Sequence, residues 1–329
     1  MSKAAEIILA AFEAQKLDED ERFFFKNTPP AGVTLFTRNI PENYLDLKEL
    51  VDSIQSTKPS ELPPFIIAID QEGGRVRRIK DPFPNEGPAL HLHSEAIDQN
   101  ALTFIEDYGY KLGTNLRDLG VNVNFAPVLD ILTNPKNDAI GDRVFGKDSS
   151  SVTLRAGAFL KGQNRSGVKG CLKHFPGQGD ADVDTHSDHC EIPLDQETIY
   201  KRELEPFKSL STSCDMIMLS HCVYPAFSGK PASSSKTIIE DLLKGYIGFN
   251  GLIVSDDMMM GAIPQDIEAW SEALIDSLMA GVDLLLVCRD INRIMIACER
   301  IDKESIKHPT VRKRLEEAAY KVNQLRITL

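Results

Sequence analysis

Short apolar runs of strand length recur along the chain, and most are apolar at consecutive positions instead of alternating with polar residues. The runs cover residues 6–11, 32–36, 65–70, 121–126, 168–174, 215–220, 252–256 and 282–287. Uninterrupted apolar runs are typical of parallel strands that are covered on both faces by helices. The pattern therefore predicts eight buried parallel strands.

Amphipathic segments of helical period separate these runs. They cover residues 45–55, 102–119, 151–166, 196–210, 237–246, 267–280 and 291–301, with a final helix at 311–327. Gly120, Gly167 and Gly281 each end a helix just before a strand, as glycine commonly does. Eight successive βα units predict an α/β fold, a (β/α)8 barrel, as a single catalytic domain over residues 1–329. A doubly wound sheet is the alternative, but no glycine-rich dinucleotide motif follows an early strand to favour it.

Polar residues follow the predicted strand ends repeatedly. They are Asp70, Asn124 with Asp130, Lys173-His174, Ser220-His221, Asp256-Asp257 and Arg289-Asp290. In a barrel these ends converge on one face, where barrel enzymes build their active sites. We therefore expect the chemistry of the protein at this face.

Composition and charge narrow the class of protein. The 329 residues are 42% hydrophobic and 26% charged, with a net charge of −12. An acidic chain lacks the basic surface that binds nucleic acid, and no apolar run approaches the ~18–20 residues of a membrane helix. The N-terminus MSKAAEIILAAFEAQKLDEDE has one cation before its apolar run and no clear cleavage site, so we interpret it as mature structure. We expect a monomer without nucleic-acid or membrane partners.

Six cysteines are dispersed singly, without a C-x-x-C pair. In a chain of this length, that pattern is typical of reduced thiols that pack as small core residues. The sequence therefore predicts a cytoplasmic location.

Two neighbouring acids end the seventh predicted strand. Glycosidases usually pair two carboxyl groups, one of which can be a nucleophile. Adjacent strand residues point to opposite faces, so Asp256 and Asp257 are not expected to meet one sugar in the same way. We expect one of them to be functional and the other to be a structural hydrogen-bonding partner.

The segment after the fifth strand offers a proton carrier. Asp184 stands two residues before His186, and a hydrogen bond from a carboxylate fixes the tautomer of an imidazole and raises its basicity. Pro176, Gly177 and Gly179 give the loop unusual backbone angles. Asp184 and His186 are therefore candidates for an acid/base dyad.

A metal site is the competing interpretation of the same segment. Its possible N and O ligands are His174, Asp182, Asp184, His186, Asp188 and His189. Barrel metallohydrolases usually open with an H-x-H pair on the first strand, and this chain has no histidine there. We therefore expect no bound metal.

Several cations accompany the strand ends. The sequence QEGGR at 71–75 is weak as a phosphate loop, because no G-x-x-x-x-G-K-[ST] motif is present. We interpret it as a tight turn that directs Arg75 or Arg78 into the barrel mouth. With Arg143 and Lys173, these donors suit a polyhydroxylated ligand.

Five motifs together resemble the family 3 glycoside hydrolases, and more narrowly the bacterial β-N-acetylhexosaminidases of peptidoglycan recycling. They are IDQEGGRV (69–76), NFAPVLDI (124–131), RVFGKD (143–148), KHFPGQGDADVDTH (173–186) and IVSDDMMMGAI (253–263). The motifs appear in the family's order and span most of the chain.

The resemblance implies a role for each matching residue. Asp256 matches the catalytic nucleophile, His186 the acid/base and Asp184 its dyad partner. The residues that match the binding site for the non-reducing N-acetylglucosamine are Asp70, Arg78, Arg143, Lys173 and His174. The implied reaction is two-step and retaining, acts on muropeptides or other GlcNAc-terminated glycans, and needs no metal or organic cofactor.

Other activities within this fold stay open at this point. Gln178 stands where the family often has a second histidine, and Met258-Met259 replaces the commoner Leu-Ser. The stretch after Asp256 is too short for the second sandwich domain of many family 3 β-glucosidases. A β-glucosidase or a GlcNAc phosphorylase is the alternative, and a metal-dependent barrel hydrolase or a non-catalytic sugar-binding protein is a more distant one.

Overall fold

A computed structural model describes residues 2–80, 83–93, 97–181, 190–289 and 291–329. Within these ranges, one parallel sheet is built from eight strands, of which the fifth is interrupted at Cys171. The strands are β1 (Ile8–Ala10), β2 (Gly32–Leu35), β3 (Ile66–Ile69), β4 (Val123–Asn124), β5 (Lys169–Gly170 and Leu172–Phe175), β6 (Met216–Leu219), β7 (Leu252–Asp257) and β8 (Leu284–Val287).

The sheet closes into a barrel. Each strand pairs in parallel with its neighbours in the chain, and β8 pairs with β1 through Ile8 and Leu285. The first part of β5 pairs with β4 and the second part with β6. This order confirms the predicted α/β barrel and excludes a doubly wound sheet, in which the edge strands would stay unpaired.

Helices cover the outside of the barrel. They are α1 (Glu19–Asn27), α2 (Tyr44–Thr57), α3 (Gln99–Asp118), α4 (Ser149–Ser166), α5 (Gln196–Thr198, Ile199–Glu203 and Leu204–Leu210, with a π-helical middle), α6 (Thr237–Tyr246, π-helical), α7 (Ile267–Ala280), α8 (Ile291–Lys307) and α9 (Pro309–Ile327). Short 3-10 turns lie at Ala4–Ile7, Thr37–Asn39, Ala89–His91, Gly141–Arg143, Ser211–Ser213 and Ala232–Ser234. Two hairpins pair Gln71–Gly73 with Val76–Arg77 and Val223–Tyr224 with Ser228–Pro231.

The apolar pattern predicted all of these helices except α1. The helix begins with a capping box, in which the Asp18 carboxylate accepts from the Glu21 amide at 2.7 Å and the Glu21 carboxylate accepts from the Asp18 amide at 2.9 Å. An acid followed three residues later by glutamate is a local start signal. The helix is short, and its apolar residues are the consecutive Phe23–Phe25 instead of residues spaced three or four positions apart, so the capping box is its clearest mark.

The barrel interior explains the uninterrupted apolar runs. All four residues of β2, β3, β6 and β8 are buried, because one face of each strand packs inside the barrel and the other packs against the helices. None of the helices in the described ranges has both the length and the apolar character needed to cross a bilayer.

Candidate active site

A cavity of about 280 Å³ opens at the carboxyl ends of the barrel strands. Its lining combines apolar residues from inside the barrel with charged residues that follow the strands. The charged and polar residues of the lining are Thr34, Asp70, Arg75, Arg78, Arg143, Lys173, His174, Gln178, Asp256 and Asp257. This is the face on which the strand-end residues were expected to meet.

A network of buried charges forms one wall of the cavity. Lys173, with 2% of its surface exposed, donates to Asp70 Oδ1 at 2.8 Å and lies 2.7 Å from Glu72 Oε1. Arg143 holds the two Glu72 oxygens with paired bonds of 2.8 and 2.9 Å. Arg78 donates to Asp70 Oδ2 at 3.2 Å. Three cations and two carboxylates thus fix one another in place.

Each charge in this network is stabilised by its partners. Burial by itself raises the pKa of a carboxyl group, but Lys173 and Arg78 outweigh burial and hold the pKa of Asp70 well below its usual range. Arg143 and Lys173 likewise lower the pKa of Glu72 to about 2. Burial lowers the pKa of Lys173, yet Asp70 and Glu72 raise it above its usual value. The network is therefore fully charged at neutral pH, with donors and acceptors held rigidly.

A buried acid, Asp130, orients the imidazole of His174. Its Nδ1 lies 2.7 Å from Oδ2 of Asp130, which is fully buried. Asp130 Oδ1 also accepts from the backbone of Gln178 at 2.8 Å. The peptide bonds Lys173–His174 and Phe175–Pro176 are both cis. Because Asp130 occupies Nδ1, the imidazole serves the cavity through Nε2.

The two acids at the end of β7 differ in their hydrogen bonds. Asp257 donates its backbone N–H to Asp256 Oδ1 at 2.8 Å. Its own Oδ1 accepts from the amides of Met259 and Cys288 at 3.0 and 3.1 Å. Burial raises the pKa of Asp257 to about 6. Asp257 thus ties β7 to β8, as expected of a structural partner.

Both acids border the cavity, and the register between β7 and β8 shifts between Val254 and Asp257. A bulge of this kind changes the local direction of a strand. The two carboxylates still differ in their contacts, because Asp257 Oδ1 is held by the backbone amides of Met259 and Cys288. That only one of the two acids meets the sugar as a functional group stays a prediction.

The structure brings six of the eight predicted site residues together. Residues from the loops that follow β3 and β4, from β5 and from β7 line one cavity: Asp70, Arg78, Arg143, Lys173, His174 and Asp256. Asp184 and His186 lie outside the described residues. Of the two arginines proposed for the barrel mouth, Arg78 contacts Asp70, whereas Arg75 pairs with Asp142 at 2.9 Å.

Glu72 and Asp130 support the site. Asp130 was expected at this face as a residue that follows the fourth strand, but no specific role was predicted for either acid. Each is a buried acid that holds a cation or an imidazole of the cavity. Asp130 stands alone within an apolar run, between Leu129 and Ile131, and an isolated acid in such a run is a signal of a buried hydrogen bond. Glu72 lies in the QEGGR turn, which was interpreted only as directing Arg75 or Arg78 into the barrel mouth.

Departures from the family pattern fall in two different places. Gln178 lines the cavity, and its side-chain oxygen accepts from Ser220 Oγ at 2.9 Å. Met258 and Met259 are buried, and the carbonyl of Met258 accepts from the Trp270 indole at 2.9 Å. The methionines are therefore core residues, and Gln178 alone of the three reaches the site.

His221 is a buried neutral base beside β7. Its ring nitrogens contact Ser233 Oγ at 2.7 Å and the carbonyl of Asp257 at 3.2 Å, and burial lowers its pKa.

The loop after β5 needs glycine at position 177. Gly177 has a positive φ of 120°, and a Cβ there would lie 2.6 Å from the buried Glu203 carboxylate.

Among the described residues, no three His, Cys, Asp or Glu side chains are grouped as a metal site would require.

Comparisons with known proteins agree with this geometry. A β-hexosaminidase of Pseudomonas aeruginosa is 31% identical over 306 residues, which cover 92% of this chain and 89% of that protein. NagZ from Neisseria gonorrhoeae, solved in complex with N-trifluoroacetyl-D-glucosamine, superposes with a TM-score of 0.80 at 30% identity, covering 97% of this chain and 92% of that one.

A family 3 β-N-acetylglucosaminidase from Paenibacillus sp. superposes over 99% of this chain with a TM-score of 0.89 at 28% identity, and this chain spans 62% of that longer protein. The sequence profile of the glycosyl hydrolase family 3 N-terminal domain matches residues 2–324. The chain therefore belongs to glycosyl hydrolase family 3 and is a glycoside hydrolase.

Proposed function

We propose that this enzyme removes terminal β-linked N-acetylglucosamine from muropeptides or other GlcNAc-terminated glycans, with retention of configuration. The observation that carries the proposal is the convergence of Asp256 and the charged network on one cavity. The relatives named above, a β-hexosaminidase and a β-N-acetylglucosaminidase, support the choice of sugar. A cavity near the lower end of the size range of small-molecule sites suits one sugar residue.

In the proposed first step, the Asp256 carboxylate attacks the anomeric carbon. The C–O bond to the leaving group breaks, and the leaving oxygen takes a proton from His186. In the second step, His186 removes a proton from water, which attacks the glycosyl–Asp256 ester and releases the sugar. The backbone N–H of Asp257 at Asp256 Oδ1 orients the carboxylate for both steps.

The proposal assigns the acid/base role to His186, with Asp184 as its partner. Its support is their spacing in the sequence and the matching motif of the family. A His–Asp dyad in this role replaces the second carboxylate that most glycosidases use.

The charged wall is proposed to hold the sugar hydroxyls. Guanidinium and ammonium donors beside carboxylate acceptors match a ring that carries both donors and acceptors. Because Lys173, Arg143 and Asp70 are fixed by their partners before substrate arrives, little side-chain entropy is lost on binding.

Initial rates on aryl β-GlcNAc and aryl β-glucoside, each with and without phosphate, test the sugar and the acceptor together. We expect preference for aryl β-GlcNAc, no requirement for phosphate, and retained configuration in the first-formed product. Asp256→Asn should lower kcat by roughly 10³-fold or more, because the nucleophile is lost.

Asp276→Asn is the matched control, since Asp276 is an exposed acid paired with Lys230 on the surface. It should keep wild-type rates. His186→Ala should slow the poorest leaving groups most, as expected for loss of an acid catalyst. Wild-type turnover in Asp256→Asn would rule out the nucleophile, and phosphate-dependent turnover would point to a phosphorylase.

We further propose that the enzyme works in the cytoplasm as a monomer. All six cysteines are free thiols and buried, which suits a reducing compartment. Sedimentation of the purified chain tests the monomer, and fractionation of the source cells tests the location.

A further inference from the structure

Two cysteines from different parts of the chain meet beside the candidate active site. The Cys222 thiol donates to Cys190 Sγ over 2.8 Å, and both residues have no exposed surface. A disulfide places its sulfur atoms about 2.05 Å apart. The two thiols therefore need only a small approach to become bonded.

Backbone hydrogen bonds hold the pair in register. The Val223 amide donates to the Cys190 carbonyl at 2.8 Å, and the Ile192 amide donates to the Val223 carbonyl at 2.8 Å. Glu191 and Val223 form an isolated parallel bridge. Since neighbouring residues on both segments are paired, the two cysteines lie opposite each other without rearrangement of the backbone.

The other described thiols have different partners. Cys214 Sγ contacts the carbonyls of Gly170 and Met216 at 3.2 and 3.3 Å. Within the described ranges, the contact of Cys190 with Cys222 is the sole thiol–thiol hydrogen bond. The pair is also near the cavity, since Cys222 Sγ lies 3.6 Å from Oε1 of Gln178, a lining residue.

We propose that Cys190 and Cys222 are a site of reversible covalent modification, at which a peroxide closes the two thiols into a disulfide. One thiolate attacks the peroxide and becomes a sulfenic acid, releasing one water or alcohol from the broken O–O bond. The second thiol then attacks the sulfenic sulfur, forms the S–S bond and releases water. Two electrons pass from the sulfurs to the peroxide, and a dithiol reductant reverses the change.

Burial sets the rate of this chemistry. Desolvation raises the pKa of the Cys222 thiol well above its usual value, and the thiolate is the reactive form. Oxidation therefore proceeds through brief local openings and takes much longer than at an exposed thiol. The site therefore responds to sustained oxidant. The disulfide should stabilise the folded protein, because it cross-links positions 32 residues apart.

Peptide mapping of the oxidised full-length enzyme tests the site directly. The protein is incubated with hydrogen peroxide, its remaining thiols are alkylated, and it is digested with trypsin without reduction. Cys190 lies in tryptic peptide 174–201, and Cys222 lies in 209–236 together with Cys214. We expect these two peptides to be joined, with a loss of two hydrogen atoms, and to separate after dithiothreitol. The unfolding temperature should rise by about 5 °C in the oxidised form.

Cys214→Ser is the matched control, because it removes the other thiol of the same peptide. It should keep the cross-link, whereas Cys222→Ser and Cys190→Ser should each abolish both the cross-link and the rise in Tm. The wild-type map decides the matter even if a variant folds poorly. Alkylation of both cysteines after prolonged oxidation, or a cross-link through Cys214, would overturn the proposal, and neither result bears on the proposed glycosidase activity.

Discussion

Lys173 carries its charge inside the protein because two carboxylates accompany it. Burying an isolated ammonium group costs more free energy than the net stability of a folded protein, so such a group loses its proton instead. Asp70 and Glu72 reverse this tendency at 2.8 and 2.7 Å, and Arg143 balances the second acid. Glu72 contacts both Lys173 and Arg143. It therefore holds two of the three cations of the cavity wall in position.

We predict that Glu72→Gln destabilises the enzyme by about 3 kcal/mol at pH 7, because two cations lose a buried counter-charge. The folded-state pKa of Glu72 is about 2, below its usual 4.5. The stability that Glu72 contributes is therefore present above pH 4.5 and is lost as the pH falls through about 2. Urea unfolding of both proteins at pH 7 and pH 3 should show the difference shrinking by roughly 2 kcal/mol.

Glu197→Gln is the control for this change. Glu197 pairs with Lys201 on the surface, with both side chains about three-quarters exposed. Exposed pairs contribute about 0–1 kcal/mol, so this variant should unfold like the wild type. A pH-independent loss in Glu72→Gln would contradict the charge argument and indicate a packing effect.

Helices α3 and α4 approach each other through glycines. A Cβ on Gly162 would overlap the carbonyl oxygen of Glu106, and one on Gly109 would overlap that of Phe159. These contacts involve backbone atoms, which cannot move aside as a side chain can. The spacing of these two elements, and with it the position of the strands they cover, therefore depends on the absence of a methyl group.

We predict that Gly162→Ala destabilises the enzyme by about 3 kcal/mol or more, since the helices must separate and lose packing. Gly157→Ala in the same helix is the control. Its Cβ would meet only the end of the Leu210 side chain at 3.1 Å, and alanine is favoured over glycine in a helix by about 1 kcal/mol. Thermal and urea unfolding should separate the two variants, and equal stability would show that the helices yield at this contact.

A buried acid is one of the residues that tie the barrel as a whole to its last helix. Asp283, just before β8, accepts from the Ile253 amide of β7 at 3.0 Å. It also accepts from Arg314 at 2.6 Å and from Lys321 at 3.1 Å, both of which belong to α9. The acid precedes its strand, so it lies at the end of the barrel opposite the cavity, where barrel residues serve stability.

We predict that Asp283→Ala costs about 3 kcal/mol, because Arg314 and Lys321 lose their counter-charge and keep only carbonyl acceptors, and the Ile253 amide loses its acceptor. Activity measured well below the unfolding temperature should persist, since Asp283 is remote from the cavity lining. Asp276→Ala, at an exposed pair, should change stability by less than 1 kcal/mol. Equal urea midpoints for the two variants would show that α9 is not held by this acid.

Local pattern was enough for most elements and for the face of the barrel at which the cavity opens. The eight apolar runs correspond to the eight strands, and the helix predicted at 267–280 has those bounds in the structure. Asp70, Lys173 and Asp256 were predicted to lie together because polar residues at the carboxyl ends of buried barrel strands all meet at one face. Of the α- and π-helices in the described ranges, only α1 was missed, because its apolar residues are three consecutive phenylalanines and show no helical spacing.

The sequence by itself determined which residues are buried and which follow the strands, because burial imposes a period on neighbouring positions. Only the tertiary structure decided which distant side chains meet. Glu72 reaches Arg143 across 71 positions, Asp130 reaches His174 across 44, and Cys190 meets Cys222 across 32. No local period encodes such pairs. They follow from closure of the barrel, which brings loops from separate strands to one face and fixes their distances there.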